Sequence, residues 1–179
     1  TARKQTGSFY TPREIVNYMV DESLIAYLKN VIGENKFDEK ELDQKLHQVL
    51  SYNPENPFAE DPKTTRTLIL ALGEAKILDP AVGSGAFPMG MLQKMVHLLK
   101  KLDPENQIWK EVQLEKAMAE TQEAFGIEDK EEREQKLIEI NNAFDNRVND
   151  PDFARKLYLI ENCIYGVDIQ PIATQISKL

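Results

Sequence analysis

The feature that most constrains the fold of this chain is a glycine-rich turn between a short apolar run and an amphipathic segment. Ile77 and Leu78 lead into Asp79-Pro80, and Ala81-Val82-Gly83-Ser84-Gly85 follows. Behind the turn, apolar residues recur at helical spacing: Phe87, Met91, Leu92, Met95, Leu98 and Leu99. This order predicts a strand, a glycine loop and a helix, which is half of a dinucleotide-type βαβ unit.

The residues of the glycine loop indicate which ligands it can hold. Gly83 and Gly85 can adopt positive φ and let a ligand approach the backbone closely. The loop leads into a helix N-terminus, where free N–H groups point outward. Asp79 adds a carboxylate, which suits a cationic group, such as an amino-acid ammonium, better than a phosphate. No Lys-Ser/Thr pair follows the glycines, so the loop is not of the Walker type; a turn without a ligand is the alternative.

A second buried strand is predicted at residues 164–168, where the apolar run after Cys163 ends in Asp168. An acid in this place commonly accepts the hydroxyls of a ribose. The usual spacing is about 20 residues, whereas Asp168 follows Asp79 by 89 positions. We therefore expect an insertion between the two strands. The alternative role for Asp168 is to cap the helix that Pro171 opens.

Capping residues indicate where the helices begin and end. Thr11-Pro12-Arg13-Glu14 matches a capping box, and the helix that it opens is expected to end at Gly33. Asp103-Pro104-Glu105 predicts another helix start, and Gly126 with the acidic residues 128–134 divides the segment that follows. Further helices are expected at 39–51 and 64–72, from Asp150-Pro151 and from Gln170-Pro171.

Composition and charge narrow the possible classes of protein. The 179 residues carry a net charge of −8, and the stretch from Lys110 to Ile140 holds ten acidic and five basic residues, a net of −5. Nucleic acid is therefore not an obvious partner for the surface as a whole. A single cysteine, Cys163, excludes an intramolecular disulfide and a multi-cysteine metal site, and His47 and His97 lack ligand spacing. No apolar run approaches the roughly 18 residues of a membrane helix.

Three motifs, in this order, resemble those of the N6-adenine-specific DNA methyltransferases of the large restriction-modification and phage-defence type. Gly7-Ser8-Phe9-Tyr10-Thr11-Pro12 is similar to the opening loop of that family. The segment from Asp79 to Phe87 is similar to its Asp-Pro-x-x-Gly-Ser/Thr-Gly-x-Phe/Leu motif, and the segment from Ile164 to Pro171 to its acid-bearing strand.

The resemblance implies a cofactor, S-adenosylmethionine, and a role for each matching position. Tyr10, Thr11 and Pro12 would close over the methionine part. Asp79 would lie near the ammonium group, and the loop would hold the same part through Pro80, Ala81, Gly83, Ser84 and Gly85. Asp168 would accept the ribose hydroxyls, and Ile169 would pack on the adenine.

The catalytic motif of that family, Asn/Asp-Pro-Pro-Tyr/Phe, does not occur in the sequence. Asn53-Pro54-Glu55 and Asn149-Asp150-Pro151 lack the second proline, and we interpret both as helix-starting turns. We expect the catalytic residues to lie beyond Leu179, and this chain alone to be inactive. Double-stranded DNA would then bind parts of the parent protein that are absent here, with specificity or restriction domains possible in the same polypeptide.

The resemblance favours an α/β fold, a partial Rossmann-like methyltransferase core that is rich in helices. The expected regions are an N-terminal helical region at 1–75, the core at 76–102 and 156–179, and an acidic helical insertion at 103–155. The expected location is the cytoplasm of a prokaryotic cell. Two other functions stay open: a methyltransferase with a different amine acceptor, such as cytosine N4 or a protein glutamine, and a non-catalytic interaction module.

Overall fold

The computed structural model describes residues 11–33, 37–149 and 151–177. The chain first forms three helices, α1 (Arg13–Ile32), α2 (Glu39–Leu50) and α3 (Pro62–Glu74). Strand β1 (Ile77–Asp79) follows, and then α4 (Ala86–Leu102), α5 (Gln107–Ala124), α6 (Lys130–Asn149) and α7 (Pro151–Asn162). Strand β2 (Ile164–Gly166) and the short helix α8 (Pro171–Ile176) complete the described chain.

The two strands form a parallel pair, as the predicted βαβ unit requires. Ile77 lies opposite Ile164, and Asp79 lies opposite Gly166. The connection between them contains the four helices α4 to α7, which is far longer than the single helix of a simple crossover. The predicted strand at 164–168 was too long at its end, because Val167 pairs with the glycine loop as well as with β1. Its N–H donates to Asp79 O at 2.8 Å, and its carbonyl accepts from Val82 N at 2.9 Å.

The helices pack around one apolar core. Helix α1 contacts α2, α3 and α4, and α4 also contacts α3 and α7. A glycine permits the closest of these approaches, because a Cβ at Gly90 of α4 would lie 2.8 Å from Cγ1 of Val16 in α1. Fully buried members of the core include Leu28, Leu46, Leu68, Ile69, Leu72, Met95, Leu98 and Leu99. Helix α1, at the start of the described chain, is thereby fixed against the helix that follows the glycine loop.

Helices α1 and α5 do not begin where the sequence predicts, in each case because a different residue occupies the N-cap. Helix α1 begins one residue later than a Thr11 cap requires, with Pro12 at the N-cap and no side-chain cap hydrogen bond. Helix α5 begins at Gln107 and not at Asp103. The Asp103 carboxylate still acts at this end of the helix, since it accepts from the backbone N–H groups of Gln107 and Trp109, both at 2.9 Å.

Other predicted boundaries were confirmed. Helix α1 ends at Gly33, which has φ 77°. The acidic segment divides near Gly126 into α5 and α6, and α7 begins at Pro151. The predicted end of the acidic helical insertion, at residue 155, falls inside α7. None of the helices in the described ranges is long and apolar enough to cross a membrane.

Candidate functional site

The carboxyl end of β1 turns directly into the glycine loop, and Asp79 shapes the turn. Its Oδ1 accepts the N–H of Ala81 at 3.0 Å. Its backbone carbonyl accepts from Val167, the residue that follows β2. The Asp79 side chain is half-buried, whereas Pro80, Ala81 and Ser84 are exposed. The loop therefore presents backbone and small side chains to solvent beside a carboxylate.

Both loop glycines adopt the left-handed conformation, as the sequence predicts. Gly83 has φ 52° and Gly85 has φ 82°. Gly85 is also the N-cap of α4, with no side-chain cap hydrogen bond. The N–H groups in the first turn of α4 consequently lack a side-chain partner from their cap residue, and such groups favour a polar or anionic ligand.

Asp168 lies against the same loop although 85 residues separate it from Gly83. Its Oδ2 accepts the N–H of Gly83 at 2.8 Å, and its Oδ1 accepts the N–H of Gln170 at 2.7 Å. These two hydrogen bonds stabilise the charged form, so the pKa of the Asp168 carboxyl lies below its usual range. The second of these bonds also joins Asp168 to Gln170, the N-cap residue of α8.

The structure thus brings together the two acids and the loop between them, which the sequence assigns to one site. Ile169 stands beside them, with 95% of its surface exposed. Thr11 and Pro12 are exposed at the start of α1, the helix that packs on α4. Tyr10 lies outside the described residues.

The sequence did not indicate the structural roles of two residues of the site, Val82 and Gly166. Val82 is buried in the loop, and a Cβ at Gly166 would lie only 2.7 Å from its Cγ2. Gly166 therefore permits the loop to rest on β2. A glycine inside a predicted apolar strand is the signal that indicates such a close approach.

The remaining candidate residues lie elsewhere. Cys163 is buried, as expected, and burial raises the pKa of its thiol. His47 and His97 each hydrogen-bond a backbone carbonyl, of Asp43 and Ser51 respectively. Among the described residues no group of His, Cys, Asp and Glu side chains could hold a metal ion.

The two near matches to the catalytic tetrapeptide belong to turns of different kinds. Pro151 begins α7, as expected, and Asn149 is the last residue of α6. Asn53 does not start a helix: its Oδ1 accepts the N–H of Glu55 at 3.2 Å in a turn, and the next helix, α3, begins only at Pro62. The prediction of a helix start at Asn53 was therefore wrong.

Comparison with known proteins finds a relative in Methanocaldococcus jannaschii, named as a candidate type II restriction enzyme and methyltransferase. The two sequences are 26% identical over 185 residues, which cover 99% of this chain. This chain is similar to a restriction-modification methyltransferase. This chain spans 12% of the length of that relative. No protein-family model matches the chain, and no solved structure matches it.

Proposed function

We propose that this chain is the S-adenosylmethionine-binding portion of a DNA methyltransferase that modifies adenine N6 in a restriction-modification or phage-defence system. The observation that carries the proposal is the meeting of Asp79 and Asp168 on one glycine loop. Asp79 binds the loop at Ala81, and Asp168 binds it at Gly83. The similarity to a restriction-modification methyltransferase along 99% of the chain supports the same function.

The charges of the site suit the proposed cofactor. A methionine moiety brings an ammonium group, and the adjacent sulfonium is also cationic, so the Asp79 carboxylate is favourable beside it. Asp168 presents acceptor oxygens to the two ribose hydroxyls, because each carboxylate oxygen can accept two hydrogen bonds. The exposed Ile169 offers an apolar surface to the adenine ring. Thr11 and Pro12, with Tyr10, would close over the methionine end.

We further propose that β1 and β2 are neighbouring strands of a larger, doubly wound Rossmann-like sheet. Parallel sheets are normally covered on both faces. Here Leu78, Tyr165 and Val167 expose 60%, 44% and 54% of their surfaces, so additional structure would bury apolar area. Residues 76–102 and 156–179 would then form the cofactor-binding core, with 103–155 as an insertion.

Double-stranded DNA would bind outside the acidic insertion, because the excess of carboxylates in α5 and α6 repels phosphates. The catalytic Asn/Asp-Pro-Pro-Tyr/Phe motif, which binds the amino group of the flipped adenine in the family that this chain resembles, would be supplied by another part of the same polypeptide. The residues of this chain hold the cofactor and orient its sulfonium.

The direct test uses the full-length parent protein, expressed in a bacterial host without DNA methyltransferases of its own. Genomic DNA is digested to nucleosides, and the methylated bases are measured by mass spectrometry. We expect N6-methyladenine with the wild-type protein and loss of most of it with Asp79→Ala or Asp168→Ala. Asp152→Ala, which removes an exposed carboxylate of α7, is the matched control and should leave methylation unchanged.

The other outcomes separate the alternatives. If N4-methylcytosine is found in place of N6-methyladenine, the acceptor is the amino group of cytosine and the proposal of adenine N6 is wrong. Unmodified DNA from a protein that binds S-adenosylmethionine would favour a protein glutamine as acceptor. A wild-type protein that neither binds the cofactor nor methylates DNA would contradict the proposal and favour the interaction module.

A further inference from the structure

The Asp168 carboxylate is engaged by the backbone on both of its oxygens. One oxygen accepts the N–H of Gly83 and the other accepts the N–H of Gln170, at 2.8 and 2.7 Å. The first bond joins the segment after β2 to the glycine loop across 85 residues of sequence. Hydrogen bonds from backbone N–H groups to a carboxylate are charge-assisted and roughly twice as strong as neutral ones.

Further contacts hold the loop in the same place. Val82 N donates to Val167 O at 2.9 Å, and Gly85 N donates to Val82 O at 2.8 Å. The Val82 side chain rests on Gly166. Gly83 lies between these contacts with φ 52°, and a Cβ there would meet only Ala81 O, at 3.9 Å. The space beside Gly83 is therefore open, and the hydrogen bond from its own N–H to Asp168 ties it directly to the segment after β2.

We propose that Asp168 is a positioning residue for the glycine loop, in addition to its role toward the ribose. It holds Gly83 through its N–H and so shapes the part of the loop that would face the methionine moiety. This inference rests on the proposed function. It goes beyond that function because the acid of the ribose site also controls binding at the other end of the cofactor.

The two roles are compatible. An ionised carboxylate has about four acceptor positions, and the backbone uses one on each oxygen. One position on each oxygen is left for the two ribose hydroxyls. Preorganised loops bind more tightly because less ordering occurs on binding.

A thermodynamic cycle separates the two roles. The affinities of wild-type protein and Asp168→Ala are measured calorimetrically with S-adenosylhomocysteine and with its 2′,3′-dideoxy analogue. If Asp168 only accepts hydroxyls, the substitution leaves the affinity for the dideoxy analogue unchanged. If Asp168 also positions the loop, the substitution weakens binding of the dideoxy analogue by about tenfold, as expected for a lost charge-assisted hydrogen bond.

A second readout needs no ligand. Amide hydrogen exchange at Gly83 is followed by NMR in the wild-type chain, in Asp168→Ala and in Asp168→Asn. We expect exchange about tenfold faster at Gly83 in Asp168→Ala and a smaller increase in Asp168→Asn, which keeps one acceptor oxygen. The amides of Leu98 and Leu99 in the core report whether the variant is folded, and Asp152→Ala serves as the control.

The failures of the two proposals are distinguishable. Unchanged affinity for the dideoxy analogue, together with unchanged exchange at Gly83, overturns the positioning role while the cofactor site stands. If the wild-type chain binds neither ligand, the cofactor proposal fails, and exchange at Gly83 alone decides whether Asp168 positions the loop.

Discussion

Val82 occupies the space that a side chain at position 166 would need. A Cβ there would lie 2.7 Å from Cγ2 and 3.0 Å from Cβ of Val82, and β-branched side chains cannot easily rotate away. We expect Gly166→Ala to lower the free energy of unfolding by about 1–3 kcal/mol, the usual cost of overpacking. Urea denaturation followed by circular dichroism measures this loss.

Gly90→Ala is the matched control for that substitution. Its Cβ would also meet a valine, at 2.8 Å, but in the contact between α1 and α4. Both substitutions should reduce stability, whereas only Gly166→Ala should alter the amide resonances of Ala81, Gly83 and Ser84. Unchanged loop resonances in Gly166→Ala would show that the loop does not rest on β2.

The buried ion pair of Arg155 and Asp103 joins α7 to the turn before α5. Nη2 of Arg155 lies 2.9 Å from the carbonyl oxygen and 3.0 Å from Oδ2 of Asp103, and both side chains are almost fully buried. Burial lowers the pKa of the guanidinium, and Asp103 opposes that shift. Arg155→Ala leaves a buried carboxylate without its cation and should reduce stability by about 3 kcal/mol.

The exposed pair of Lys100 and Asp152 is the control for that loss. Its Nζ–Oδ2 distance is 3.4 Å and both side chains are largely exposed, so Lys100→Ala should change stability by less than about 0.5 kcal/mol. Equal denaturation midpoints for wild type and Arg155→Ala would contradict the structural role of the buried pair.

At the scale of elements, the start of β2 is covered by the end of α3. Sγ of Cys163 lies 3.5 Å from Gly73 O, the side chain is inaccessible, and burial raises the pKa of the thiol. A higher pKa leaves less reactive thiolate at neutral pH. We therefore expect a disulfide reagent to label Cys163 at least about a hundredfold more slowly in the native chain than in urea.

Thiol labelling is read from the absorbance of the released thiolate. The reagent can reach Cys163 only when the core that covers it, which includes the end of α3, opens, so the native rate reports that opening. If the native chain is labelled as fast as the denatured chain, Cys163 is not packed against the end of α3.

The elements themselves follow from local sequence, since apolar spacing and Gly33, Gly126 and Pro151 indicate most helices and their ends. The error at Asp103 arises because Asp103 and Asn106 compete at one helix start, and the choice depends on the tertiary turn. At Thr11 the N-cap position is instead taken by Pro12, which has no capping side chain. In the site, the glycine conformations are local and were predictable. The bond from Gly83 to Asp168 was not, because it spans 85 residues and depends on the packing of Val82 on Gly166.

At the scale of the whole molecule, the candidate site consists of the segments that directly follow β1 and β2, although four helices separate the two strands in sequence. Helix α5 is fixed to α3 by ion pairs of Arg66 with Glu111 and Glu115, at 3.2 and 2.7 Å. Helix α6 contacts α5 and α7. The hairpin of α5 and α6 thus packs on α3 and α7 in the described part of the chain, which fits the proposed insertion.

The central claim is that the glycine loop and the segment after β2 form one cofactor site, and NMR titration of the chain with S-adenosylhomocysteine tests it most directly. We expect shifts that saturate with ligand at Ala81, Gly83, Ser84, Gly85 and Ile169, and no shifts in α6. Loss of these shifts in Asp168→Ala, with none lost in Asp152→Ala, would support the account. No shift at the loop at millimolar ligand, or shifts confined to α5 and α6, would contradict it.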